Sequence, residues 1–278
     1  MAEGSKRAIQ PVAIFKDGAL AWARRFIPVT IISCASVLIT SLLYLYPVPS
    51  SWALSLGPAM AKLAAAFYFL VFFCVVAVTS LLSLMILVFY DASIPGRFSF
   101  AVACREALKR LAGFLKSYAL IAVFFFGLSN LGQYVYLAGR YFYSPQIVGQ
   151  PLWLKLGVLL AASTFFVTCL IAACWYTFFF SLAPLVGGYE GTGLWESLRQ
   201  SRRRIRGNAL RYLGVMLMPI LCYMGIGLVL FRAAIKTGCQ NNILILIDPA
   251  VSAVLGPLIL AVWFVCYREL SATTGAAV

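Results

Sequence analysis

Six long apolar runs constrain this chain more than any other feature. A helix that crosses a bilayer needs roughly 20 mostly apolar residues, and 63% of the 278 residues are hydrophobic while only 11% are charged. A soluble core cannot bury so large an apolar share. Few charges and little strict alternation exclude barrel strands, so the runs predict transmembrane helices. The runs are Ile27–Tyr46, Leu63–Tyr90, Tyr118–Leu137, Leu154–Leu185, Leu210–Phe231 and Pro249–Tyr267.

The lysines and arginines predict how the six spans are oriented. In a six-span arrangement, seventeen of them fall on one side of the membrane and five on the other. Because short cytoplasmic loops carry an excess of Lys and Arg, we expect both termini in the cytoplasm. The N-terminal segment lacks the early apolar core of a signal peptide, which predicts that the first span is an uncleaved insertion signal.

The basic residues gather in three segments, and each segment directly precedes an odd-numbered span. Small-residue–leucine pairs recur in them at Ala19–Leu20, Ala107–Leu108 and Ser197–Leu198, which are 88 and 90 residues apart. Such a period indicates an internal repeat. The predicted fold is therefore an all-α polytopic membrane protein, a single membrane domain over 1–278. It contains three elbow-plus-hairpin repeats at about 9–90, 98–186 and 192–270.

Helical spacing predicts that each basic segment is an amphipathic helix in the membrane interface, with its apolar face towards the lipid. In the second segment, the predicted apolar face is Phe100, Cys104, Ala107, Leu108 and Leu111. In the third segment, it is Leu194, Leu198, Ser201 and Ile205, with Arg199, Arg202, Arg203 and Arg206 outside it.

Two interpretations of these cations stay open. The first is topological: they keep their loops inside and attract anionic headgroups, each contributing roughly 1 kcal/mol. The second is a specific site for a phosphate or a partner protein. Nucleic acid is not an expected partner, because the net charge of +14 lies at a membrane surface. The candidate headgroup-binding or partner-binding residues are Arg24, Arg25, Arg105, Lys109, Arg110, Arg199, Arg202, Arg203, Arg204 and Arg206.

The sequence lacks several residue types and motifs that are common in catalytic sites. The chain has no histidine, which excludes His-ligated metal sites and Ser–His pairs. Its sequence contains no phosphate-cradling glycine loop, carboxylate dyad or Cys-pair motif. Seven of the eight cysteines lie in apolar or basic segments and only Cys239 lies in a predicted external loop, so buried thiols are expected instead of disulfides. We expect no catalytic residue, metal or cofactor, and no enzyme.

Polar residues inside the spans are the other candidates, because they are costly in lipid and often functional. Asp248 precedes Pro249, and we favour an N-cap followed by a first-turn proline. The alternative is a helix that begins at Ile243 and carries Asp248 inside it, where it could bind a proton or a cation. Asn130 and Gln133 predict hydrogen bonds between helices. The alternative interpretation is that these two side chains line a path for a substrate.

Two acidic residues follow a tyrosine at predicted cytoplasmic helix ends: Asp91 after Tyr90, and Glu190 after Tyr189. We expect each to position a basic segment by pairing with a nearby arginine.

The segment from Ser181 to Met218 resembles part of a bacterial six-helix membrane family that includes the membrane domain of some glycerophosphodiester phosphodiesterases. The matching residues are Pro184, Glu190–Gly191, Glu196–Leu198, Ser201 and Arg206–Asn208. The catalytic domain of those phosphodiesterases has no counterpart here. The resemblance therefore implies a membrane module in a bacterial inner membrane, without that activity.

These observations predict a nonenzymatic integral membrane protein that scaffolds a membrane complex or organises lipid through basic cytoplasmic helices. Its expected partners are anionic membrane lipids and possible membrane-protein subunits. The alternative function is transport of a lipid or small amphiphile through a cavity between the repeats.

Overall fold

The structure is a computed structural model that describes residues 9–45, 58–95, 99–144, 149–236 and 241–273. Every regular element in these ranges is an α-helix. The helices are α1 (Pro11–Arg24), α2 (Phe26–Leu45), α3 (Pro58–Tyr90), α4 (Phe100–Tyr143), α5 (Leu152–Phe180), α6 (Ala183–Tyr189), α7 (Leu194–Arg206), α8 (Ala209–Lys236) and α9 (Asn241–Thr273).

Each of the six predicted spans overlaps a helix in the described part of the chain. Among the described residues, five helices are long and apolar enough to cross a membrane, and a sixth span results if α1 and α2 count as one bent element. The chain is thus all-helical with the composition of a multi-pass membrane protein. A turn at Ser181–Leu182 separates α5 from the short helix α6, and the candidate fourth span continues through both helices, from Leu152 to Tyr189.

The chain divides into two compact units. The terminal unit contains residues 1–112 and 207–278, and the central unit contains residues 113–206. This division does not follow the three predicted repeats, because its first boundary lies within α4. The threefold repeat stays a prediction.

The terminal unit is built around α9, which packs against α1, α2, α3 and α8. The first predicted elbow is a separate helix, since α1 meets α2 at an angle of 89° and begins with Pro11 in its first turn. A β-carbon on Gly18 would lie only 2.7 Å from the side chain of Val262, so the missing side chain allows α1 and α9 to approach closely. The face of α1 that bears Ile14 and Gly18 is therefore buried against protein.

The second predicted elbow is not a separate helix. Residues Phe100–Tyr143 form one uninterrupted helix of 44 residues, which joins the basic segment to the third span. Between this basic segment and the third span, helix-favouring residues such as Ala, Leu and Lys predominate. At the other two junctions the helix is interrupted, at Arg25 and at Gly207–Asn208. Of the predicted apolar face, Ala107 is buried, as is its neighbour Ala103, while Leu108 is 54% exposed.

The central unit depends on close backbone contacts at glycines. A β-carbon on Gly113 would lie 2.2 Å from the carbonyl oxygen of Gly187, and one on Gly187 would lie 2.7 Å from the carbonyl oxygen of Gly113. Further along α4, Gly132 packs on Cys169 and Gly139 on Ala162 of α5. Small residues at such crossings let membrane helices gain van der Waals contact.

Candidate functional site

The basic helix α7 has a protein-bound face and an exposed face. Its buried residues are Ser197, Leu198, Ser201, Arg204 and Ile205, which share one side of a helix with 3.6 residues per turn. The exposed cations are Arg199, Arg202, Arg203 and Arg206. The predicted division of this helix is therefore confirmed, except that Arg204 belongs to the buried side.

The apolar face of α7 does not lie against lipid as predicted. The helix packs on α5 and α6 of the same unit. Leu198 forms a small core with Ile121 and Ala183, and the Ser201 hydroxyl donates a hydrogen bond of 2.9 Å to the carbonyl of Phe179. Burial against protein orients the helix, and its arginines are consequently displayed on the outer surface of the unit.

A buried ion pair anchors this helix. Arg204 donates two hydrogen bonds to the carboxylate of Glu190, at 2.6 and 2.9 Å, and a third at 3.3 Å to Gln200. The side chains of Arg204 and Glu190 are only 3% and 11% exposed. Glu190 was expected to pair with an arginine, and this is confirmed. Arg204 was a candidate headgroup-binding residue, and its burial in a bidentate pair contradicts that role.

The turn between α6 and α7 explains why the acidic residue is followed by glycine. Gly191 has φ +64°, a backbone conformation that glycine adopts without a steric penalty. The turn brings the Thr192 hydroxyl within 2.8 Å of the Ser197 hydroxyl, and Ser197 also donates to the carbonyl of Gly193 at 2.9 Å. Several residues of the family-like motif, namely Glu190, Gly191, Ser197 and Ser201, thus shape and anchor this corner.

An exposed tryptophan lies in line with the arginines of α7. Trp195, Arg199, Arg202 and Arg206 are spaced by four, three and four residues, which places them in one stripe along the helix. Trp195 is 73% exposed. Tryptophan is enriched where a protein meets the headgroup layer of a membrane, and here it lies beside three exposed cations.

The other basic candidates lie in the terminal unit and are less uniform. Arg24 and Arg105 are exposed, whereas Arg25 is half-buried and interacts with other residues. Lys109 is exposed and forms an ion pair of 2.6 Å with Glu106. Arg110 is partly buried and lies 3.8 Å from Asp91, which confirms the expected pairing of Asp91 with an arginine.

Neither polar candidate in the third span forms a hydrogen bond to another helix among the described residues. Asn130 donates a bond of 2.8 Å to the carbonyl of Phe126, one turn earlier in its own helix. Gln133 is exposed. Both side chains therefore lie on the outward side of α4, because Gly132 between them occupies the packed face.

Asp248 is not an N-cap. Helix α9 begins at Asn241, so Asp248 and Pro249 both lie inside it, as the alternative interpretation required. The Tyr223 hydroxyl of α8 donates a short hydrogen bond to Asp248 and lies 2.8 Å from the Ser252 hydroxyl. The sequence did not single out Tyr223 or Ser252, because neither is unusual in an apolar span.

The described cysteines are free thiols, but most of them are not buried. Cys169 and Cys266 are buried, whereas Cys34, Cys74, Cys174 and Cys222 are exposed in the isolated chain and Cys104 is intermediate. The prediction of buried thiols is thus wrong for most positions, since apolar side chains in a membrane helix can face lipid. Cys239 lies outside the described residues. Among those described, no group of three or more Cys, Asp or Glu could hold a metal ion.

No family model, curated protein or solved structure matches this chain.

Proposed function

We propose that the protein is a nonenzymatic integral membrane protein that binds and organises anionic lipid headgroups through the exposed stripe of α7. The observation that carries this proposal is the stripe of Trp195, Arg199, Arg202 and Arg206 on a helix whose opposite face is fixed to the protein. A headgroup phosphate offers the negative charge that the arginines complement. The indole offers the amphipathic ring that favours the headgroup layer.

The anchoring of α7 supports a surface role for its arginines. Five of its residues are buried, and Arg204 is held by three hydrogen bonds. The exposed arginines therefore start from an ordered helix, which lowers the conformational entropy lost on binding. A flexible basic loop would lose more entropy for the same contacts.

The proposed setting is the inner membrane of a bacterium, with both termini and α7 on the cytoplasmic side. This follows from the seventeen-to-five distribution of Lys and Arg and from the family resemblance of Ser181–Met218. Labelling of Cys239 by an impermeant maleimide in intact cells tests the orientation. Labelling only after permeabilisation contradicts it. Transport of a lipid or amphiphile stays the alternative prediction.

A lipid titration of the purified full-length chain tests the proposed site. Native mass spectrometry would count bound phosphatidylglycerol and phosphatidylcholine on the chain and on the double variant Arg202→Gln/Arg206→Gln. The matched control, Arg232→Gln/Lys236→Gln, removes two exposed charges near the C-terminal end of α8. We expect the first variant to lose phosphatidylglycerol binding by about 1–2 kcal/mol and the control to retain it. Equal losses in the two variants would refute a site on α7.

A further inference from the structure

Three polar side chains meet between α8 and α9 of the terminal unit. Tyr223 donates to Oδ1 of Asp248, and its one hydroxyl proton is then used. The Ser252 hydroxyl, 2.8 Å from the tyrosine oxygen, must therefore be the donor in the second bond. The resulting chain of oxygens ends on a carboxylate.

The cluster lies at the middle of α8 and near the beginning of α9. Tyr223 is at the midpoint of α8, about 20 Å from either end at ~1.5 Å per residue. Asp248 is in the second turn of α9. The sequence has no Lys or Arg between Arg211 and Arg232, nor between Lys236 and Arg268. The carboxylate thus sits in an apolar stretch of both helices.

None of the described side chains forms an ion pair with Asp248. Tyr223 is the titratable group that contacts it. The other titratable or charged described side chains on α9 and on the helices packed against it form no bond to Asp248; they are Lys16, Asp17, Arg24, Cys34, Cys74, Tyr90, Arg211, Tyr212, Cys222, Arg232, Lys236, Cys266, Tyr267, Arg268 and Glu269. A carboxylate among apolar side chains is costly in a membrane and marks a candidate site for a cation.

Oxygen atoms near the Asp248 carboxylate have lone pairs that accept no hydrogen bond from the described donors. Oδ2 of Asp248 accepts no hydrogen bond from the described donors. Pro249 has no N–H, so the backbone carbonyl of Ile245, one turn earlier in α9, lacks its usual intrahelical donor. Asp248 is exposed in the isolated chain, which leaves the oxygens open from the outer side of the helix pair.

We propose that Asp248, Tyr223 and Ser252 form a binding site for a small monovalent cation, a proton or Na⁺, within the membrane-spanning part of the protein. A single carboxylate matches one positive charge. Hydroxyl and carbonyl oxygens are the neutral ligands that a hard cation prefers. The proposal is independent of the headgroup stripe on α7, which lies in the other compact unit.

Carbodiimide labelling of the full-length chain in lipid nanodiscs tests this site. Dicyclohexylcarbodiimide partitions into bilayers and modifies carboxyl groups that carry a proton. Bound Na⁺ would keep the proton away. The adduct on the peptide that contains Asp248 would be measured by mass spectrometry from about pH 5.5 to about pH 8.5. Na⁺ would be compared with choline at constant ionic strength.

We expect Asp248 to be labelled at least tenfold more than Asp17, an exposed carboxylate on α1. Labelling that falls as Na⁺ replaces choline identifies a Na⁺ site. Labelling that does not change with Na⁺ concentration but falls as the pH rises identifies a proton site. Labelling no greater than that of Asp17, or labelling unaffected by both Na⁺ and pH, would overturn the proposal.

Two variants separate binding from folding. Tyr223→Phe keeps the ring and its packing but removes the donor to Asp248, so we expect a several-fold shift in the Na⁺ concentration or proton concentration that halves the labelling. Asp17→Asn is the matched control and should leave the Asp248 profile unchanged. A Tyr223→Phe profile identical to that of the unmodified chain would show that the three side chains do not act as one site.

Discussion

Two acid–arginine pairs follow the same sequence signal but have different geometries. In the central unit, Glu190 follows Tyr189 and holds Arg204 through two hydrogen bonds of 2.6 and 2.9 Å. In the terminal unit, Asp91 follows Tyr90 and lies 3.8 Å from Arg110. The first pair anchors a separate basic helix. The second lies beside a basic segment that continues directly into a span.

Local competition explains much of the difference. Oδ1 of Asp91 accepts hydrogen bonds from the backbone N–H of Ser93, at 3.0 Å, and from its hydroxyl, at 2.6 Å. Such a turn is typical of aspartate, whose short side chain bonds to backbone two residues ahead. Glu190 is longer by one methylene, and Gly191 makes the turn, so both of its oxygens can reach Arg204. The same charge signal therefore specifies a pair, but not the strength of that pair.

The largest expected effect is at Arg204. Arg204→Ala leaves a buried Glu190 carboxylate without its bidentate partner, and breaking such a pair typically costs about 3–5 kcal/mol. Unfolding in mixed detergent micelles would measure the loss. The matched control, Arg203→Ala, removes an exposed neighbouring charge and should change stability by about 0.5 kcal/mol or less. Similar losses in the two variants would mean that the pair does not anchor α7.

A smaller effect is expected at Asp91. Asp91→Asn removes the charge facing Arg110 but keeps an oxygen that can accept the two bonds from Ser93. We expect the same unfolding measurement to show a loss of about 1 kcal/mol, because the ion pair is long. Asp91→Ala should cost more, since it also removes the turn. If Asp91→Asn lowered the free energy of unfolding as much as Arg204→Ala does, the two ion pairs would not differ in strength.

The smallest effects are expected at single exposed arginines of α7. If the stripe attracts headgroups collectively, replacing Arg202 or Arg206 alone by Gln should weaken phosphatidylglycerol binding by roughly 1 kcal/mol or less. Added salt should reduce that difference. Arg206→Lys keeps the charge and should bind almost as well. If this one substitution abolished binding while abundance stayed unchanged, a defined bidentate site would replace the collective surface.

The basic helix shows what helical spacing can and cannot predict. The spacing in the third segment correctly separated Leu198, Ser201 and Ile205 from four exposed arginines. Trp195 could have been assigned to the arginine stripe by the same spacing. The burial of Arg204 could not, because it depends on a carboxylate 14 residues earlier that reaches it only through the turn at Gly191.

The spans show a similar limit. Composition alone located the apolar segments, because crossing a bilayer demands a minimum apolar length whatever the neighbouring helices do. It did not locate the helix ends: the helix that contains the predicted span Tyr118–Leu137 runs from Phe100 to Tyr143. It did not decide which side of a span faces protein, since lipid and a protein interior favour the same apolar side chains.

The all-helical class with its apolar spans, the position of the basic segments and the pairing of Asp91 and Glu190 with arginines could all be predicted from the sequence, because length, charge and local spacing are properties of the chain. The position of Asp248 within a helix, beside Tyr223 and Ser252, depends on the packing of α8 against α9. The burial of one face of α7 depends in the same way on α5 and α6. These outcomes depend on hydrogen bonds and close contacts between residues far apart in sequence, and local preferences such as an Asp–Pro cap are overridden when neighbouring helices supply such contacts.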